Sequence, residues 1–154
     1  MTTLVAGVGN VFFGDDGFGV EVARRLQSEK LPEDVRVADY GIRGVHLAYQ
    51  LLDGYDTLVL IDAVSRGDPP GTVSLIEPRL DGAAETGMDS HGMDPGAVLA
   101  LVRQLGGQLG RVLLVGCEAA EICERMGLSE PVQRAVDEAA RLVRRLVSER
   151  GGTS

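Results

Sequence analysis

The chain has 154 residues, 44% of them hydrophobic and 25% charged, with a formal charge of -8. Such a length predicts one domain spanning residues 1–154, with a core that needs no disulfide or metal staple. The acidic balance and scattered arginines argue against nucleic acid as a partner, and no apolar run nears the roughly 20 residues of a bilayer span. The opening MTTLVAGVGN has no basic residue before its apolar stretch, so it does not resemble a signal peptide and a cytoplasmic location is expected. Cys117 and Cys123 match neither a CxxC pair nor a disulfide framework, as expected in a reducing compartment.

In chain order, Thr3 to Val8 is an apolar run that empties into Gly9 and Asn10, the pattern of a buried strand followed by a turn. Phe18, Val22 and Leu26 recur at four-residue spacing and predict a helix from Phe18 to about Lys30. Val35 to Ala38 predicts a second strand and Val45 to Leu52 a second helix. The continuously apolar Thr57 to Ala63 predicts a third strand covered on both faces. Asp68, Pro69, Pro70 and Gly71 signal a turn, and Thr72 to Glu77 follows too closely for a helical crossover, so the fourth strand is expected to be antiparallel.

Asp94 as N-cap and Pro95 at the first helical position open a helix to about Leu105, stopped by Gly106 and Gly107. Arg111 to Gly116 is a fifth strand. Ser129 then caps a last helix with Val132, Val136, Ala139 and Val143 on one face, and residues 150–154 are expected to fray. The order βαβαββαβα predicts an α/β fold: a mostly parallel five-stranded sheet between helical layers.

Ligands of open parallel sheets bind beyond the carboxyl ends of the strands, and here those positions are acidic. Asp15 and Asp16 follow the first strand, Asp39 the second, Asp62 ends the third and Glu118 follows the fifth, all expected at one rim. Ser90, His91 and Gly92 precede the third helix at the same rim. Asp15 or Asp16 alone would suffice to cap the next helix, but two adjacent acids between glycines exceed what one cap requires, and Asp16 is the better ligand candidate. Asp62 ends an apolar strand, where a charge is costly unless it is paired, hydrated or bound to a cation.

His46 needs no role beyond the surface. A Cys117 and His91 dyad is a minor alternative, and small buried hydrophobe is the default for both thiols. There is no HExxH and no GxSxG, and a dinucleotide loop is disfavoured because Phe12 stands where the third glycine would fall and Asp15 and Asp16 would set negative charge near a pyrophosphate. The residue types alone name no nucleophile.

The run GVGNVFFGDDGFGVEVARRL, from Gly7 to Leu26, resembles the N-terminal signature of the nickel-iron hydrogenase maturation endopeptidases. DYGIRG at Asp39 to Gly44, VLIDAV of the third strand, PPGTV, SHGMDP and VGCE match that family in order. The resemblance implies a three-layer α/β/α sandwich and a peptidase that removes the C-terminal extension of the hydrogenase large-subunit precursor. It implies that Asp16, Asp62 and His91 form a nickel-recognition site, with Asp39 and Glu118 as second-rank candidates. Nickel is expected to arrive with the substrate rather than as a resident cofactor, and the free enzyme to be a monomer. Ile42 and Arg43 stand where many members carry a Gly-Thr pair, and Glu118, Ala119 and Ala120 depart from the family's proline-containing loop. Two other readings use the same rim: a metallohydrolase holding its own divalent ion, and a binding module that senses nickel in the precursor without cutting it.

Overall fold

A computed structural model describes residues 2–77 and 95–152, with side chains described as far as residue 148. Its strands are β1 (Thr3–Val8), β2 (Val35–Gly41), β3 (Thr57–Val64), β4 (Val73–Ile76) and β5 (Arg111–Glu118). The helices are α1 (Phe18–Gln27), α2 (Gly44–Leu51), α3 (Pro95–Gln104) and α4 (Glu130–Gly152), and a short 3-10 turn, Gly14–Gly17, leads into α1. The five strands form one sheet in the order β2-β1-β3-β5-β4, parallel throughout except for β4, which runs antiparallel to β5.

Alternation along the strands divides the core in two. Leu4, Ala6, Leu58, Leu60 and Leu114 point to the face covered by α2 and α3, among Leu47, Leu51, Leu99 and Val102. Val5, Val59, Ile61, Val115 and Cys117 point to the face covered by α1 and α4, among Phe18, Val22, Val136 and Val143. The arrangement is the expected α/β/α sandwich, with the three central strands buried on both sides. Two glycines permit the close seat of α1 on the sheet. A Cβ on Gly7 would lie 2.2 Å from the Gly19 carbonyl oxygen, and one on Gly19 would lie 2.0 Å from that of Ile61.

The predicted elements are all present where the structure describes them, with shifted ends. Instead of reaching Lys30, α1 stops at Gln27, because the Ser28 and Glu29 amides donate to the Arg25 and Leu26 carbonyls and tighten the last turn. The second strand runs on to Gly41 and the fifth to Glu118 because each keeps a parallel partner beyond its apolar residues. Although α4 opens after Ser129, the hydroxyl of Ser129 donates to Asp15, and the helix continues to Gly152, into the stretch expected to fray. The proposed N-cap Asp94 and the loop holding Ser90, His91 and Gly92 lie outside the described residues.

Candidate active site at the carboxyl edge of the sheet

The site is built around the turn that leaves β1. Gly9 adopts a φ of +129°, and a Cβ there would stand 1.9 Å from the Asp16 carbonyl oxygen and 3.4 Å from Asp62 Oδ1. Only a glycine passes between the two aspartates. The Asn10 amide donates to Asp16 Oδ2 at 2.8 Å, and Asn10 Oδ1 accepts the Phe12 amide at 2.9 Å, so the chain doubles back toward the 3-10 turn. Asp62 Oδ1 accepts the Ala63 amide at 2.8 Å. Asp16 and Asp62 are each 1% exposed. Asp16, from the β1–α1 turn, and Asp62, near the end of β3, thus border the same Gly9–Asn10 turn, and each carboxylate is steadied by a backbone amide against the cost of burial.

Asp15, beside Asp16 in sequence, has a different task. Its Oδ2 accepts the Ala120 and Glu121 amides at 2.8 Å each and the Ser129 hydroxyl at 2.8 Å, while Oδ1 accepts the Ser129 amide at 2.6 Å. Burial pushes this carboxyl upward, but the hydrogen bonds from Glu121, Ser129 and Ala120 together outweigh it and hold the group below the ordinary carboxylate value. The same stretch is stitched by backbone bonds: Gly14 donates to Arg125 and Asp15 to Glu121, while Arg125 donates back to Phe12. Asp15 therefore clamps the acidic turn to the β5–α4 loop. Its sequence neighbourhood suggests only a helix cap, because Ala120, Glu121 and Ser129 lie more than a hundred positions away and leave no local signal.

The other rim acids separate. Glu118 is buried and accepts the Arg66 amide through both oxygens, at 2.9 and 3.2 Å, closing the loop between β3 and β4. Asp39 does not share the face of Asp62: alternating with Val37, it turns to the α1 side, whereas Asp62 alternates with Leu60 and Val64 on the α2/α3 side. It lies near Arg24 at 3.7 Å and Arg43 at 3.6 Å. The Arg43 guanidinium also donates to the Asp39 and Tyr40 carbonyls, so it folds back on the end of β2.

Cys117 is fully buried, and its thiol is pushed up to about 12 by burial, reinforced by the charges of Asp15, Glu138 and Glu118. It is no nucleophile at neutral pH. Among the described residues no group of three or more His, Cys, Asp and Glu side chains could hold a metal ion, so Asp16 and Asp62 do not by themselves close a cation site.

Two grooves flank the acidic turn. One, of about 270 Å³, is lined by Gly9, Asn10, Phe12, Asp39, Tyr40 and Ile42. The other, of about 230 Å³, is lined by Gly14, Gly17, Glu21, Met126, Leu128 and Gln133, and Val11 and Arg24 border both. Among the described residues no helix is long and apolar enough to cross a membrane.

An α/β/α sandwich that gathers buried acids at the carboxyl edge of its sheet, with open grooves beside them, places its ligand site there. Comparison with known proteins narrows this. The family described as hydrogenase maturation protease, HycI, matches residues 20–146. The hydrogenase expression/formation protein HoxM of Azotobacter vinelandii is 33% identical, over 96% of this chain and 73% of its own length. Among solved structures, the hydrogenase maturating endopeptidase HybD from E. coli superposes with a TM-score of 0.85 at 26% identity, covering 98% of this chain and 94% of its own. The hydrogenase 2 maturation peptidase from a Thaumarchaeota archaeon superposes with a TM-score of 0.72 at 34% identity, covering 93% and 96% of the two chains. The chain belongs to the hydrogenase maturation protease family. It is a peptidase.

Proposed function

We propose that this peptidase removes the C-terminal extension of a hydrogenase large-subunit precursor, and that it does so after recognising nickel already bound in that precursor. Family membership supports the substrate class. The observation that carries the nickel reading is that Asp16 and Asp62, two buried aspartates from separate strand ends, border the same Gly9–Asn10 turn. His91, the third residue of the proposed set, lies outside the described residues and enters on its motif alone.

In this reading nickel is part of the substrate. Imidazole suits nickel, whereas carboxylates are hard ligands that hold it less firmly than thiolates do. An Asp, Asp and His set therefore recognises nickel held by cysteines of the precursor without extracting it. Metal insertion becomes the condition for cleavage, and the tail is brought into the grooves beside the acidic turn. Bound nickel offers two routes to hydrolysis, polarising the scissile carbonyl or activating water.

The test is to incubate the protein with its large-subunit precursor, prepared with and without nickel, and to follow intact mass. Loss of a C-terminal peptide from the nickel-loaded form alone is expected. Cleavage of both forms would leave the proteolytic reading and remove nickel sensing, and cleavage of neither would favour a binding module. His91→Ala is expected to abolish processing of the nickel-loaded form while leaving the thermal melt in place. Wild-type processing by that variant would remove His91 from the site.

A further inference from the structure

The outward face of α2 differs from those of α1 and α4. In α1 and α4 the exposed residues are polar, among them Arg24, Arg25, Arg134 and Asp137. The inward side of α2, with Leu47, Ala48 and Leu51, is buried. Beside the exposed Arg43 and His46, its outward side carries a set of exposed apolar residues: Ile42 just before it is 53% exposed, Val45 57%, Tyr49 58%, and Leu52 just after it 37%. Val45, Tyr49 and Leu52, spaced by four and three residues, share one stripe, and Ile42 stands just before the helix. A contiguous set of exposed apolar side chains of this kind marks an interaction surface.

The stripe is continuous with the site. Ile42 lines the groove that also holds Gly9 and Asn10, the residues that pass between Asp62 and Asp16 and receive the Asp16 carboxylate. From there the stripe follows α2, whose eight residues extend for about 12 Å at 1.5 Å per residue. A groove of about 270 Å³ accommodates a few residues of a peptide tail, but a stripe leading out of it along a whole helix exceeds what a tail needs. It suits the folded body of a protein whose tail occupies the groove.

We propose that the outward face of α2, carried by Val45 and Tyr49 with Ile42 at the groove, docks the folded part of the protein substrate. This rests on the reading that the substrate is the large-subunit precursor. Docking there adds affinity and orientation without touching the reacting atoms, so its loss affects KM rather than kcat.

The experiment measures processing of the nickel-loaded precursor by Val45→Asp and Tyr49→Ser, with Leu75→Ser on β4 as an exposed apolar control away from α2. Each α2 variant is expected to raise KM by about tenfold with kcat unchanged, as for a central apolar contact, and the control to stay within about twofold of wild type. Amide exchange across residues 42–49 is expected to slow when precursor is added to the wild-type protein. An unchanged KM in both α2 variants, or unchanged exchange in the presence of precursor, overturns the proposal. A wild-type dimer in sedimentation that Val45→Asp dissociates, with KM unchanged, also overturns it and assigns the face to a second copy. The two readings fail separately: precursor left uncut by wild type counts against proteolysis, whereas normal processing with unaltered KM in both variants counts only against this docking face.

Discussion

Asp15 and Asp16 are neighbours in one short turn, share the same glycine-rich surroundings and are equally hidden from solvent, yet they belong to different regions of the molecule. Asp15 faces the β5–α4 loop, where three amides and a hydroxyl satisfy its carboxylate. Asp16 instead accepts the Asn10 amide, in the turn that leaves β1. The contrast teaches that an acidic pair can divide its labour by geometry alone. One carboxylate holds two segments of chain together, and the other is held at the turn that leaves β1.

The sharpest way to break this comparison is to neutralise each side in turn. Asp16→Asn and Asp62→Asn are expected to lower processing of nickel-loaded precursor by about 1,000-fold or more, while the thermal midpoint moves by only a few degrees. A variant of either residue that processes at the wild-type rate would take that carboxylate out of the site. Asp15→Ala is expected to do the reverse, acting first on the fold. Losing a buried carboxylate and leaving three amides without an acceptor costs on the order of 3–5 kcal/mol, or roughly 10 °C in the melt of a domain this size. A melt unchanged in Asp15→Ala would show that the clamp contributes nothing to stability.

The acid limb of the stability curve gives a smaller effect. The Asp15 carboxyl is held below its ordinary value in the folded protein, so the unfolded chain binds more protons over that interval and stability rises with pH there. Its contribution is complete above the unfolded carboxylate value of about 4 and is lost as pH falls through the lowered folded value. Denaturant midpoints taken downward from pH 5 should therefore decline less steeply in Asp15→Asn than in wild type. The smallest effect belongs to the thiols. Cys117→Ala is expected to keep full processing activity and to lose about 1 kcal/mol of stability, as for a small buried apolar group, and Cys123→Ser should fall within about 0.5 kcal/mol of wild type. Loss of processing in a folded Cys117→Ala protein would reopen a role for that thiol.

The elements were legible because their signals are local. The apolar run of β1, the four-residue stripe of α1 and the Pro-Pro-Gly turn before β4 each depend on residues a few positions apart, and each element appears within a few residues of its expected place. Strand ends were less legible, since Gly41 and Glu118 are held by parallel neighbours distant in sequence. The outward apolar face of α2 was hidden for a similar reason: Val45 and Tyr49 read as ordinary members of an amphipathic helix until packing showed which side Leu47 and Leu51 occupy.

The sequence by itself determined the α/β class, the antiparallel fourth strand and the identity of the rim acids, because periodicity, turn chemistry and chain length act over short spans. Only the tertiary structure decided what those acids do. Whether a carboxylate lies against Ser129, Arg66 or Gly9 depends on contacts across the sheet, between residues that can be more than a hundred positions apart. Such contacts are set by how strands order and cross, and a buried charge takes its role from the partners that this arrangement brings to it.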